Sequence, residues 1–281
     1  MDRTLQSGHP AGSGQPMSEA AADMQRRFGG IERLYGAAAL ARFQHAHVAV
    51  VGIGGVGSWA AEGLARSAIG RITLIDLDMV AESNVNRQVH AVDGEFGKAK
   101  VSAMAQRILT INPSCQLTEI EDFVTPENVD AILGGPFDHV IDAIDQVRSK
   151  AAMIACCKRR ALPLITVGAA GGQVDPTRIQ SADLALSIQD PLLARVRSLL
   201  RRDYAFTRAA KKKFGITAIF SSEPLRYPEA SATCEQPPAP SGLNCAGFGS
   251  SVCVTATFGL LAAAEVLGTL ASEDLAAGAH G

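Results

Sequence analysis

The sequence predicts an α/β fold, a doubly wound and mostly parallel sheet with an irregular C-terminal elaboration. Three observations carry this expectation. Short apolar runs alternate with segments of helical periodicity from residue 47 to residue 167, the first run ends in a glycine-rich turn, and the second run ends in an acid.

Residues 1–23 mix Gly, Ser, Pro and Ala without apolar periodicity, so a disordered leader is expected, with no apolar run of the kind a signal peptide needs. From Asp23 to Phe43, Met24, Phe28, Ile31, Leu34 and Tyr35 recur at helical spacing, with an early break expected at Gly29-Gly30. His47 to Val51 is a mostly apolar run closed by glycines, as a strand covered on both faces requires. A helix follows from Val56 to Ser67, with Gly70 at the stop position, and Arg71 to Ile75 is the second strand. The alternation continues with a helix near 97–109, a strand at 116–120, and a helix opened by Thr125-Pro126-Glu127. A strand at 139–141, a helix at 147–160 and a strand at 162–167 complete it. The order is Rossmann-like.

Beyond Gly168 the regularity decays. Residues 171–227 mix short strands with a basic helix, and 229–242 form a Pro-rich loop. A single domain over 24–281 is therefore expected, with a nucleotide-binding core at about 45–168 and a substrate-binding elaboration at about 169–281.

Composition narrows the class. The 281 residues are 47% apolar and 19% charged, which excludes a disordered or fibrous chain. Lys and Arg total 26 against 28 Asp and Glu, so binding of nucleic acid by bulk charge alone is excluded. The six cysteines, Cys115, Cys156, Cys157, Cys234, Cys245 and Cys253, include no Cys-x-x-Cys pair, which argues for reduced thiols in the cytoplasm and against a four-cysteine zinc site.

Gly52-Ile53-Gly54-Gly55-Val56-Gly57 sits between a strand and a helix, where glycines let a phosphate approach free N–H groups. Asp76, at the end of the second strand, is placed to accept from a ribose hydroxyl. A dehydrogenase fingerprint stops there, but here Asp78, Asn84, Arg87 and Gln88 follow. Arg grips phosphate oxygens bidentately while carboxylates hold ribose or Mg²⁺, so the cluster suits a triphosphate; the alternative for Asp78 and Arg87 is a surface ion pair. Lys98, near a helix start, is expected to point into the same crevice, where a phosphate would offset the helix dipole. Asp142 and Asp145 end the fourth strand; Asp142 is the expected Mg²⁺ ligand, and Asp145 is either a second polar group of the site or a helix N-cap.

Taken in this order, Gly-x-Gly-Gly-x-Gly, Asp76-x-Asp78, Asn84-x-x-Arg87-Gln88, Lys98 and Asp142-x-x-Asp145 resemble the ubiquitin-activating-enzyme-like adenylyltransferases, which activate a carboxylate with ATP. The resemblance implies that Arg87 and Lys98 hold the triphosphate, that Asp76 binds ribose and that Asp142 organises Mg²⁺, which makes Arg87, Lys98 and Asp142 the expected catalytic residues. It also implies a homodimer. Three further segments, Arg27 to Gly36, Gly168 to Pro176 and Asp190-Pro191-Leu192, are similar to the branch of that family that dehydrates N6-threonylcarbamoyladenosine in tRNA. That branch implies adenylation of the threonyl carboxylate, then attack by the neighbouring urea nitrogen and release of AMP. The rival expectations are adenylation of a ubiquitin-like sulfur carrier's C-terminal glycine and a non-catalytic nucleotide-binding scaffold with a sulfur-transfer partner. One departure stands out: where many relatives carry Arg-Tyr-x-Arg-Gln, this chain has Arg27-Phe28-Gly29-Gly30-Ile31, and Arg33 is the candidate substitute.

Eight bases, Arg195, Arg197, Arg201, Arg202, Arg208, Lys211, Lys212 and Lys213, meet one acid within 19 residues. They form the expected tRNA-binding patch, with Tyr204 and Phe206 available to stack on a base; the alternative is a solvated basic face with both rings in the core. From Leu243 to Ala271 the only charge is Glu265, so residues 247–270 are expected to form a buried or subunit-interface helix, with membrane contact as the alternative.

Overall fold

In the computed structural model, residues 19–209, 212–227 and 248–277 are described. Helices α1 (Glu19–Tyr35) and α2 (Ala37–His45) precede a seven-stranded sheet. The strands are β1 (His47–Val51), β2 (Arg71–Ile75), β3 (Gln116–Ile120), β4 (His139–Asp142), β5 (Leu164–Val167), β6 (Ile179–Asp183) and β7 (Thr217–Ser221). Their spatial order is β3-β2-β1-β4-β5-β7-β6, and every neighbouring pair is parallel except β6 with β7.

The pleat sorts β1 between two cores. Val48 and Val50 face one layer and Ala49 and Val51 the other, so the strand is buried on both sides. The first layer holds α2, α3 (Gly57–Arg66), α4 (Lys100–Ile111) and α8 (Val252–Ala277); the second holds α5 (Val129–Ile132), α6 (Val147–Arg159) and α7 (Pro191–Asp203). Strand order reverses between β1 and β4, and the carboxyl ends of those strands open a crevice there.

Several elements differ from expectation for local reasons. α1 runs through Gly29-Gly30, and the break falls at Gly36, whose φ of +88° no helix accepts. α4 starts at Lys100 because residues 97–99 are engaged by a bridge of Met79 with Ala99, flanked by Val80 N–H to Lys98 O and Lys100 N–H to Asp78 O. α5 is one turn long: Thr125 Oγ1 accepts from Glu127 and Asn128 N–H while Asn128 Oδ1 accepts from Thr125 N–H, and the chain leaves the helix before Gly134-Gly135. The basic segment is helical only to Asp203, and Tyr204 and Phe206 pack into the second core, Phe206 edge-on to Phe214 at 5.0 Å. The Pro-rich loop and Lys211 lie outside the described residues.

Val252–Ser272 is long and apolar enough to cross a membrane, and it packs along α3 instead of standing apart. Val254, Phe258, Ala262 and Val266 are fully buried. A side chain at Gly259 would place its Cβ 2.3 Å from the Val56 carbonyl, so the two helices touch backbone to backbone.

His90 and His139 are buried at 2% and 3% exposure, and burial pushes both imidazoles from 6.5 down to about 4. Folded, they stay neutral where the unfolded chain takes up protons, so stability falls as pH drops from 6.5 towards about 4. The expected slope is about 1.4 kcal/mol per pH unit for each imidazole. Urea unfolding of the parent and of His139→Phe at pH 7 and pH 5 isolates the His139 share: the variant should lose less stability between the two pH values, and identical pH profiles would refute the assignment.

Candidate functional site

A cavity of about 400 Å³ fills the crevice at the carboxyl ends of β1, β2 and β4. Its floor is the glycine turn. Gly52 has a φ of +87°, and a Cβ there would lie 2.9 Å from the Ile144 side chain, so glycine is required twice over. Gly57, where α3 starts, is not in the wall; its Cβ would lie 1.8 Å from Gly52 O, so its role is to let helix meet strand. Among the described residues, the N–H groups of Gly54, Gly55 and Val56 donate to no protein acceptor. Three free donors at a helix N-terminus constitute an anion site.

Asp76 pins this turn. Its Oδ2 accepts from Ile53 N–H at 2.6 Å and its Oδ1 from Asp78 N–H at 2.8 Å. It is 8% exposed, and burial holds its pKa above the usual carboxylate value, with the nearby Lys100 pulling the other way.

Two cations reach the wall. The stem of Arg87 lies over Gly55, where a Cβ would sit 3.1 Å from Arg87 Cγ, and its guanidinium donates to Ser83 O and Asn86 Oδ1. Lys100 is the second: it is buried, it lines the cavity, and its Nζ lies 2.7 Å from Asp78 Oδ2. Asp78 thus pairs with Lys100, and that carboxylate offsets a cation placed at the first residue of a helix. Lys98 is corrected. Its Nζ turns away to Glu95 at 2.9 Å, on the exposed side of the bridge, and it does not line the cavity.

Asp142 is corrected as well. It is fully buried, its Oδ1 paired with Lys150 Nζ at 2.8 Å and its Oδ2 accepting from Thr166 Oγ1 at 2.7 Å, and it forms no part of the wall. Asp145 does line the cavity, and Gln146 rather than Asp145 is the N-cap residue of α6. Asn84 lines the cavity while its Oδ1 accepts from Ala81 N–H and holds the loop. Gln88 Oε1 and Thr255 Oγ1 are buried, line the cavity and have no partner among the described residues. Arg33 is exposed on α1 and does not reach the wall.

Lys100, Asp122, Phe123, Gln146, Ser250 and Thr255 escaped the sequence reading. For Lys100 a signal existed, since it lies two residues past Lys98 in the same Gly97-Lys98-Ala99-Lys100 run. Asp122, Phe123, Gln146 and Ser250 come from loops with no motif of their own, and Thr255 comes from the first turn of α8.

The described residues contain no cluster of three or more metal-ligating side chains. Mg²⁺ bound with a nucleotide needs only one or two carboxylates, the rest being phosphate and water; Asp145 lines the cavity, whereas Asp142 is buried against Lys150 and does not. Cys115, Cys156 and Cys157 are buried, and burial pushes the thiols of Cys115 and Cys157 up to about 12, so they are poor nucleophiles. Cys234 and Cys245 lie outside the described residues.

Comparisons place this geometry among known proteins. The ThiF family model matches residues 29–279. A tRNA threonylcarbamoyladenosine dehydratase of Haemophilus influenzae is 51% identical over 247 residues, covering 88% of this chain and 94% of that protein. Crystal structures of the Escherichia coli tRNA N6-threonylcarbamoyladenosine dehydratase with ATP and with AMP each align with a TM-score of 0.83 at 48% identity. They cover 95% and 93% of this chain, and 100% and 99% of those chains.

An ionised Asp76 holds the turn through two backbone N–H groups, so affinity for ATP as a probe anion should fall as pH drops through its raised pKa. Titration calorimetry across pH checks this: Asp76→Asn should bind roughly tenfold or more weakly at pH 7, as expected for a charged hydrogen bond, and with less pH dependence. An unchanged affinity in the variant would remove Asp76 from the site.

Proposed function

Because the chain belongs to the ThiF family, we propose that it is an ATP-dependent enzyme that dehydrates N6-threonylcarbamoyladenosine in tRNA. The single observation that best supports the reading is the near-complete alignment with an ATP complex of such a dehydratase, laid over a cavity that offers free N–H groups, Arg87 and Lys100. ATP sits over the Gly52–Gly57 turn, with its phosphates on the N–H groups of Gly54, Gly55 and Val56 and its ribose against Asp76. Gln88 Oε1 and Thr255 Oγ1 acquire the partners they lack.

The threonyl carboxylate oxygen attacks the α-phosphorus, the bond to the β-phosphate bridge breaks, and pyrophosphate leaves. Arg87 and Lys100 offset the negative charge that builds on the phosphates. The urea nitrogen of the same substrate then attacks the activated carbonyl, loses its proton and expels AMP; the net change is loss of water from the nucleoside. Nucleophile and electrophile belong to one molecule, so high effective concentration replaces an enzyme thiol. Mg²⁺ would be held by Asp145 and the phosphates and would supply further neutralisation of charge.

In this reading the solvent-facing arginines of α7, Arg195 and Arg202, meet tRNA, the enzyme works in the cytoplasm where ATP and tRNA meet, and two copies form a dimer. A sulfur-transfer partner would dock elsewhere than the cavity.

Purified protein with ATP and Mg²⁺ should release AMP and pyrophosphate only when modified tRNA is added. Release that depends on a ubiquitin-like carrier, or on neither, would overturn the proposal. Replacing Lys100 with Ala should lower kcat/KM about a hundredfold or more, as removal of one preorganised charge does. Lys98→Ala should cost far less, and equal effects would show that the cation has been misassigned.

A further inference from the structure

A second groove, of about 510 Å³, runs between the first turn of α6 and the outer face of α7. Arg148 stands on one wall; Arg195, Ser198 and Arg202 stand on the other, three and four residues apart and therefore on one face of α7. Val147 and Leu199 form the apolar floor, and no carboxylate lines the groove.

The cations are poorly neutralised. Among the described residues Arg148 and Arg195 have no hydrogen bond or ion pair to a protein group, and Arg202 shares an exposed pair with Asp203. The other arginines of α7 are engaged inward: Arg197 bonds Ser187 Oγ, and Arg201 lies over the Phe214 ring at 5.2 Å. The basic run is thus divided, and the half that faces solvent converges with a cation from a different helix.

The groove also adjoins the nucleotide cavity. Asp145 and Gln146 line the cavity, and Val147 and Arg148 line the groove, so one short stretch of chain serves both. From Gln146 to Arg148 is at most ~7 Å of chain.

We propose that this groove holds consecutive phosphates of the tRNA backbone beside the nucleoside delivered to the cavity, a proposal that rests on the dehydratase reading above. Guanidinium groups grip phosphate oxygens in pairs, and the Ser198 hydroxyl adds a neutral donor. Three guanidiniums with only Asp203 among them repel one another, and a polyanion relieves that repulsion. Arg148 is the new member of the surface. Nothing in its surrounding sequence is basic enough to reveal it.

Arg148→Ala, Arg195→Ala and the double variant, made in the full chain, test this. Both side chains are exposed, and thermal melts should match the parent. The double variant should bind tRNA about tenfold more weakly at low salt, and its log-log salt slope should flatten by about 1.4 to 1.8, the release expected for two phosphate contacts. KM for tRNA should rise while ATP affinity holds, and the combined Arg148→Lys and Arg195→Lys substitutions should recover most of the slope because the charge is retained. An unchanged slope and KM would overturn the groove, as would tRNA affinity that holds while binding of an acidic carrier protein is lost. Binding is read without turnover, so a parent protein that binds tRNA through these arginines yet releases no AMP would overturn the dehydratase reading and leave the groove standing.

Discussion

One hydrogen bond organises the molecule: Ile53 N–H to the buried carboxylate of Asp76, at 2.6 Å. It ties the turn after β1 to the end of β2, across the pair of strands whose register continues through Gly52 N–H to Ile75 O. With the turn held there, the next three N–H groups are left without protein acceptors at the start of α3. A buried carboxylate is costly unless donors satisfy it, and two backbone N–H groups with Lys100 in the neighbourhood do so. Anion site and acid are therefore one construction, joined by the hydrogen bonds of Asp76 to Ile53 and Asp78 N–H.

Charge around the cavity follows from the same economy of pairing. Lys100 sits where the α4 dipole opposes it, and Asp78, two residues past Asp76, answers that cation directly. Beneath the β4 end a second pair, Lys150 with Asp142, is fully buried and is completed by Thr166. Its partners come from β4, β5 and α6, so it fixes the turn that carries Ala143 to Gln146 into the wall. Breaking such a pair leaves an uncompensated buried charge, which costs far more than the pair contributes.

Much of this was legible in the sequence, because strand alternation and the glycine turn are local. The parallel sheet, the turn and the placement of Asp76, Arg87 and Gln88 all follow from order along the chain. What failed was register and depth. Lys98 and Lys100 differ by two residues, and the bridge of Met79 with Ala99, formed across a loop, decides which of them reaches the cavity. Asp142 reads as an exposed strand-end acid until Lys150 is known to lie beneath it. Gly29-Gly30 reads as a break, yet α1 carries both glycines, with Phe28 beside them buried. Asp122, Phe123 and Ser250 come from loops that only the assembled sheet brings together.

The apolarity of α8 has its explanation in the same site. Its first half runs along the whole of α3, with Gly259 against the Val56 carbonyl at the start of α3 and Ala263 facing Gly63 towards its end. Val56 is itself one of the residues whose N–H is free for an anion. Any side chain at Gly259 would meet the Val56 carbonyl and the Ala60 N–H, so the two backbones could not approach this closely. The helix also brings Thr255, and the chain just before it Ser250, into the cavity wall. The buried face of the long uncharged stretch is thus accounted for by the close approach of two helix backbones behind the glycine turn.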